Sequence, residues 1–395
     1  MSTRAPTPLA SFRCAIISDA LHRRDAQGTV FTLAPLLKQF AVWASLFREL
    51  HIVAPFIGEH DVRHDHAPYP FDNVTFHPIP LAGGNTLGDK LQLARSVPAW
   101  LCIMRQVAPQ VDAVHLRCPS NIGGAALLAG IFRRHHAQAV YTGNWAGYVG
   151  EPRTYRAQRW LLRRMFAGPV FVYPVDEPLA PHEVETFSPS MSAHDLQHST
   201  ALRTAALASA RPGQPLTIAS VGALNANKNH ALVIDAVADL MRDGVSVALH
   251  IVGSGPEAAA LQARTARLGV APCVHFHGNL PHPQVLALLA GANLFALPSR
   301  TEGFSKAVVE ALGCGAMPVV TASAANRVIT DSEAYGALVP FGNREALTQA
   351  FHHCAARLAA DPSLPLACIA HARRFTLEAW RDHLASQLVQ AWGLT

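Results

Sequence analysis

The chain has 395 residues, half of them hydrophobic and 15% charged, with a formal net charge of +5. That length accommodates two or three domains, and that composition supplies ample buried core, which excludes a disordered chain. So mild a positive balance suits acidic ligands or an anionic bilayer surface and does not indicate nucleic acid.

Seven cysteines, Cys14, Cys102, Cys118, Cys273, Cys314, Cys354 and Cys368, stand singly with no C-x-x-C spacing. Neither a zinc site nor a disulfide framework is expected, and a reducing compartment fits. Residues 1–13 hold no apolar run, and no later stretch is long enough to cross a bilayer, so a soluble cytoplasmic protein is expected.

In chain order, residues 14–18 (CAIIS) read as a first strand, and 18–30 as a polar loop containing Gly28. Residues 31–50 are helical in pattern and 51–54 (HIVA) form the next strand. Gly28 is a candidate ligand contact, although a lone glycine in a polar loop more often marks only a turn. His60, His64 and His66 invite a metal reading, but the segment is polar and turn-like, and a solvated loop is the better expectation. A strand at 74–78 and a helical region at 85–107, broken at Pro98, follow. Residues 112–117 (DAVHLR) make a strand whose end carries His115 and Arg117, on the same side because side chains alternate. The C-terminal end of a parallel strand faces the ligand crevice of an open α/β sheet.

A strand at 139–142 follows. Residues 153–166 are the most basic stretch, with Arg153, Arg156, Arg159 and Arg163 at helical spacing and Trp160, Leu161, Met165 and Phe166 elsewhere on the helix. Such a helix could lie on an anionic bilayer, each basic residue contributing about 1 kcal/mol near the surface. It could equally be a core helix with a solvated basic face. Strands at 170–173 and 186–190 close a first domain. Residues 198–215, small and then rich in Pro and Gly, read as a linker.

The second half alternates strands with helices: 216–221, Gly222, a helix at 230–241, then a strand at 245–252 ending on Gly253 and Gly255. A strand at 274–277 leads into a loop with His277, Gly278, Asn279 and Leu280. Gly253-Ser-Gly255-Pro-Glu-Ala258 fits the dinucleotide fingerprint, but the next strand, CVHFHG, lacks the acid that would hold a ribose, so a nicotinamide cofactor is disfavoured. Residues 294–321 then read as strand, loop, helix, strand, the grammar of a parallel sheet. Their loop sets Glu302 before Gly303, with Glu310 eight residues on and Gly313 and Gly315 where the helix stops. Gly303 permits close approach to bare backbone, and the amides of Phe304, Ser305 and Lys306 would point from a helix N-terminus that favours an anion. On residue types alone this is equally a capped surface helix with two solvated acids.

The phrase as a whole decides. E-G-F-S-x-x-x-x-E-A-L-x-C-G, preceded by Pro298 and Ser299, closely resembles the E-x7-E signature of retaining glycosyltransferase family 4. The resemblance covers about residues 216–350: strand, lysine loop, G-x-G-P-E loop, H-G loop, then E-x7-E. It implies an α/β GT-B fold, two Rossmann-like domains with parallel sheets facing a central cleft. We set these at 1–205 for the acceptor side and 206–372 for the nucleotide sugar, with a C-terminal helix at 373–395 returning to the first domain.

Carried over by position, Glu310 would take the ribose hydroxyls, Glu302 the transferred sugar, and the amides from Gly303 to Lys306 the sugar and phosphates. Residues His277 to Leu280 would lie near the base, and Gly222, Gly253 and Gly255 would line the nucleotide. Lys228 matches the cation that grips the donor diphosphate. Ala223 departs from the family's usual Arg, a charge-assisted contact worth about 1.5–3 kcal/mol, which Lys306 or Arg117 could offset. Arg117 stands where many members have a second His, and it cannot serve as a base. Such enzymes need no metal and no D-x-D occurs, so no cofactor is expected beyond the nucleotide-diphosphate sugar itself.

The implied activity is retaining transfer of a sugar to a glycan or polyprenyl-linked acceptor in surface polysaccharide or lipopolysaccharide assembly, with catalysis resting on Glu302, Lys228 and Arg117. A nucleotide-sugar epimerase, or a degenerate partner subunit that binds the donor without turnover, are the alternatives.

Overall fold

The computed structural model describes residues 7–57, 66–84, 86–148, 150–211 and 213–394. His60 and His64 lie outside the described residues. The chain forms two compact units, residues 1–187 with 377–395, and residues 188–376.

The first unit is built on β1 (Arg13–Ile17), β2 (His22–Arg24), β3 (Val30–Leu33), α1 (Ala34–Leu46), β4 (Glu49–Ile57), β5 (His66–Pro68), β6 (Val74–Ile79), α2 (Leu87–Val107), β7 (Ala113–Cys118), α3 (Asn121–Ala129), β8 (His136–Tyr141), α4 (Arg153–Met165), β9 (Val170–Val172) and β10 (Glu183–Glu185). Its main sheet is parallel in the order β6-β4-β1-β7-β8-β9-β10. Numbered as they occur in the chain, these strands run 3-2-1-4-5-6-7, the doubly wound order of dinucleotide-binding domains. Val, Ile, Leu and Ala dominate the strands because both faces are covered.

Three expectations shift here. The polar loop at 18–30 contains β2, which makes a hairpin with β3, and Gly28 sits at its turn with φ +86°. Pro98 lies inside α2 without ending it, and that helix starts on a capping box in which Thr86 and Asp89 exchange side-chain and backbone hydrogen bonds. The last strand of the unit is Glu183–Glu185 rather than 186–190.

The second unit holds α5 (Ala193–Ala208), β11 (Leu216–Val221), α6 (His230–Arg242), β12 (Val247–Val252), α7 (Ala258–Arg267), β13 (Val274–Phe276), α8 (His282–Gly291), β14 (Leu294–Leu297), α9 (Lys306–Gly313), β15 (Met317–Thr321), α10 (Ala324–Thr330), β16 (Ala337–Val339), α11 (Arg344–Ala360) and α12 (Leu364–Ala372). Its sheet is wholly parallel, β13-β12-β11-β14-β15-β16, again 3-2-1-4-5-6 in chain numbering. Ile218, Leu249, Ile251, Leu294 and Val319 on the strands pack with Val233, Val237, Leu347 and Phe351 from α6 and α11.

The expected domain boundary at 205/206 falls instead at 187/188. The stretch read as a linker is mostly α5, opened by a capping box of Ser192 and Asp195. This helix belongs to the second unit because buried Arg203 donates from Nη1 to the carbonyls of Ala290 (3.0 Å) and Ala292 (2.6 Å) at the end of α8. Leu196, with Met191 just before the helix, packs so closely on Gly313 that no Cβ fits there. The second boundary lies at 376/377 rather than 372/373. Helix α13 (Leu377–Ala391) packs in the first unit, where Trp380 donates to Thr186 Oγ1 at 3.1 Å and joins Trp43 and Leu50 in the core.

Replacing Arg203 by Met leaves two helix-terminal carbonyls without a donor in a dry site. We expect a loss of about 2–3 kcal/mol in the stability of the second unit, measured by urea unfolding. A change within error would show that α5 is held by apolar packing alone.

Candidate functional site

In a doubly wound sheet the chain reverses direction between the first strand and the fourth, and the loops leaving these two strands separate to form a crevice. In the second unit these strands are β11 and β14, paired with Ile218 opposite Leu294 and Ala219 opposite Phe295. Their following loops are 222–229 and 298–305, the two that carry Lys228 and Glu302. Asn227 stitches the loops together. Its Nδ2 donates to the Thr301 carbonyl (3.0 Å), its Oδ1 accepts from the Thr301 amide (3.2 Å) and its carbonyl accepts from the Arg300 amide (2.8 Å).

So held, Lys228 Nζ and Glu302 Oε1 meet at 2.5 Å, with 22% and 17% of their side chains exposed. They are 74 residues apart in sequence. A half-sunken ion pair at a sheet's crevice is a poor stability device and a ready-made place to exchange partners with a charged ligand.

From Glu302 the chain passes through Gly303 and the buried Phe304 and Ser305 into α9, whose first residue is Lys306. Phe304 is anchored by the ring of Phe375, 5.9 Å away. Ser305 stands at the N-cap without its side chain accepting from the first turn, so the helix-terminal dipole is not answered by a side-chain cap. The hydroxyl of Ser299, buried at the same mouth, has no hydrogen-bond partner among the described residues. One turn into α9, Glu310 Oε1 accepts from His282 Nε2 at 3.1 Å.

The glycines have a steric reason of their own. A Cβ on Gly253 would overlap the carbonyl oxygen of Gly222, and one on Gly255 the carbonyl oxygen of Leu224. The Gly253 amide donates to the Gly278 carbonyl at 2.7 Å, and the Leu224 amide to the Ser254 carbonyl at 2.9 Å. Gly253 and Gly255 therefore let the loops after β11, β12 and β13 nest. Gly222 begins the lysine loop, and its amide donates to the Val252 carbonyl at 2.9 Å. His277 Nε2 is paired with His250 Nδ1 at 3.0 Å, and His277, Gly278 and Asn279 are exposed, with Leu280 half-buried beside them.

Two candidates lie in the first unit. Arg117, at the end of β7, donates from Nη1 to Gln39 Oε1 at 3.1 Å. Burial lowers its pKa, and Tyr173 and Asp19 work against that shift. Gly28 takes the turn reading: it closes the hairpin turn in which Asp25 accepts from the Gln27 and Thr29 amides, with no atom near where a Cβ would stand. His115 is a correction. It is buried against Trp43, ring centres 4.4 Å apart, and burial pushes its pKa down to about 3, so it is a neutral core residue.

The sequence reading missed His282 and Ser299. A His two residues after the H-G-N-L loop carries no local signal, since its partner Glu310 is 28 residues away. Ser299 was read only as part of the family phrase.

Alanine at Gly253 must push against the Gly222 carbonyl and hold a positive φ of 135°. We expect Gly253→Ala to destabilise the second unit by about 2–4 kcal/mol. A thermal melt unchanged within one degree would show that the loops separate without cost.

Residues 206–374 match the family model described as Glycosyl transferases group 1. Over 163 residues the chain is 32% identical to the GDP-mannose-dependent alpha-(1-6)-phosphatidylinositol monomannoside mannosyltransferase of Mycolicibacterium smegmatis, covering 39% of this chain and 41% of that one. Over 141 residues it is 31% identical to the amylovoran biosynthesis glycosyltransferase AmsK of Erwinia amylovora, covering 34% of each. The matched part thus spans well under half the length of these relatives. The whole chain shares its fold with Anabaena Alr3699/HepE, crystallised with UDP and glucose, at a TM-score of 0.66 and 16% identity over 96% of this chain and 100% of that one. With its doubly wound units and its lysine loop facing an E-x7-E helix, the chain has a two-domain GT-B fold and is similar, over residues 206–374, to the group 1 glycosyl transferases.

Proposed function

We propose that this chain is a retaining glycosyltransferase that moves a sugar from a nucleotide-diphosphate donor to a glycan or polyprenyl-linked acceptor in surface polysaccharide or lipopolysaccharide assembly. The observation that carries the reading is the Lys228–Glu302 pair at the crevice of β11 and β14, beside the start of α9. On donor binding the pair would exchange partners: Lys228 turns to the diphosphate and Glu302 to hydroxyls of the transferred sugar. The amides entering α9 add dipolar stabilisation where the leaving diphosphate gains charge. In this reading Lys228 and the helix terminus do the work elsewhere given to a metal. Lys306 makes up for the Arg missing at Ala223, and Lys306→Ala with unchanged donor affinity would remove it from that role.

The acceptor hydroxyl approaches on the face the phosphate leaves, and its proton passes to the departing phosphate oxygen, so no side-chain nucleophile is required. Arg117, in the first unit, is assigned to an acceptor charge. The family model that residues 206–374 match and the biosynthesis named for AmsK support the pathway class.

The test is release of nucleotide from a panel of UDP- and GDP-sugars, with polyprenyl-diphosphate-linked acceptors present or absent. Glu302→Gln should lower transfer by at least about 100-fold, yet tighten binding of the bare nucleoside diphosphate about three-fold, because Lys228 loses its competing partner. Lys228→Ala should weaken the same nucleotide about ten-fold or more. Donor binding without turnover on any acceptor would favour a partner subunit. Full turnover of both variants would end the assignment.

We further infer action at the cytoplasmic face of a membrane. Among the described residues no helix is long and apolar enough to cross one. Of the basic helix α4, Arg159 is committed to Glu151 at 2.5 and 2.8 Å, and Arg163 to Glu183 at 3.5 Å and the Trp145 ring. The outward face keeps Arg153, Arg156 and Arg164 with Trp160 (57% exposed), Met165 (63%) and, from α3, Leu128 (72%). Exposed aromatic and aliphatic groups beside arginines that have no ion pair among the described residues fit an anionic bilayer surface. Vesicles with about a third anionic lipid should retain the protein at low salt, and changing the three arginines to Glu should release it. Equal retention on neutral vesicles would rule out the charge-based contact.

A further inference from the structure

Glu310 is a half-buried carboxylate whose Oε1 accepts from His282 Nε2 at 3.1 Å, while the side chain stays 13% exposed. The two residues come from different helices. His282 opens α8, directly after the exposed loop that follows β13. Glu310 lies one turn into α9. Each is fixed at its backbone: α8 begins on Pro281 with Pro283 in its first turn, its far end is held by Arg203, and α9 is buried along Val308, Val309, Ala311 and Leu312. A carboxylate with two rotamer-determining bonds left free would sample several positions. A single imidazole N–H on one oxygen fixes its plane and leaves Oε2 available as an acceptor.

We propose that His282 is a positioning residue for nucleotide recognition: it locks the Glu310 carboxylate so that the remaining oxygen accepts from the vicinal hydroxyls of a ribonucleoside diphosphate. This rests on the donor reading of the site given above. The role is a discrimination as well as an affinity. A ribose presents two adjacent donors to the oriented carboxylate, and a dideoxyribose presents none, so the benefit of orientation vanishes when the hydroxyls are absent. An Nε2–H is the group required, and a glutamine amide can supply a donor at a comparable reach.

The experiment is isothermal titration of the full chain with UDP, GDP and ADP, then of the tightest binder against its 2′,3′-dideoxy form, for wild type, His282→Ala, His282→Gln and Glu310→Ala. We expect His282→Ala to weaken the ribonucleotide about five- to ten-fold, to leave the dideoxynucleotide within about two-fold, and His282→Gln to recover most of the loss. His282→Ala should add nothing in a Glu310→Ala background. An equal loss on both nucleotides, or no loss on either, overturns the proposal and makes His282 structural. If Glu310→Ala keeps the ribose preference of the wild type, the carboxylate does not read the ribose and the proposal falls, with the diphosphate site standing. If wild type binds none of the three nucleotides, the donor reading itself fails. Thermal melts of each variant separate lost binding from lost folding.

Discussion

The site depends on one pairing, that of β11 with β14. These strands are far apart in sequence, and only the doubly wound order makes them neighbours. Ser220 Oγ bonds across the joint to the Ala296 carbonyl at 2.7 Å and meets His230 Nδ1 at 2.9 Å, so the seam is polar and directional as well as apolar. Once the seam is set, Asn227 registers the two departing loops on each other, and the Lys228–Glu302 contact follows without further design. A parallel sheet is a slow structure to form because its contacts are non-local. Here that cost is also what brings opposite charges to one point.

The second unit was far more legible in the sequence than the first, for a physical reason. Its strands are short, apolar and buried on both faces, so LTIASV, LFAL and MPVVT announce themselves, and the E-x7-E phrase fixed the loop and helix between the last two. The first unit adds a hairpin, β2 with β3, whose strands carry His22, Arg23 and Arg24 and show no apolar alternation. Residues 18–30 consequently read as a loop.

Other misreadings share a cause: local signals overruled by distant partners. Residues 198–208 are small and polar enough to pass for a linker, yet Ser192 and Asp195 spell a capping box just upstream, and Arg203 finds its carbonyls some 90 residues away. His115 shares a strand end with Arg117 and was set with it on the crevice side, but Trp43 on α1 covers it. Gly253 and Gly255 match a nucleotide fingerprint in spacing, and their steric role is to let three loops nest. His282 had no legible signal, since a histidine acquires meaning only from the carboxylate it faces.

The discontinuity of the first unit has a consequence for synthesis. Its core is closed by Trp380, Leu384 and Leu388, which lie near the end of the chain. As the polypeptide leaves the ribosome from its amino end, the first half emerges early but must wait, with the apolar surface around Trp43 and Phe47 open, until the final helix arrives. The intervening unit, whose chain is continuous from 188 to 376, has everything it needs beforehand. The half of the molecule made first is therefore the half finished last.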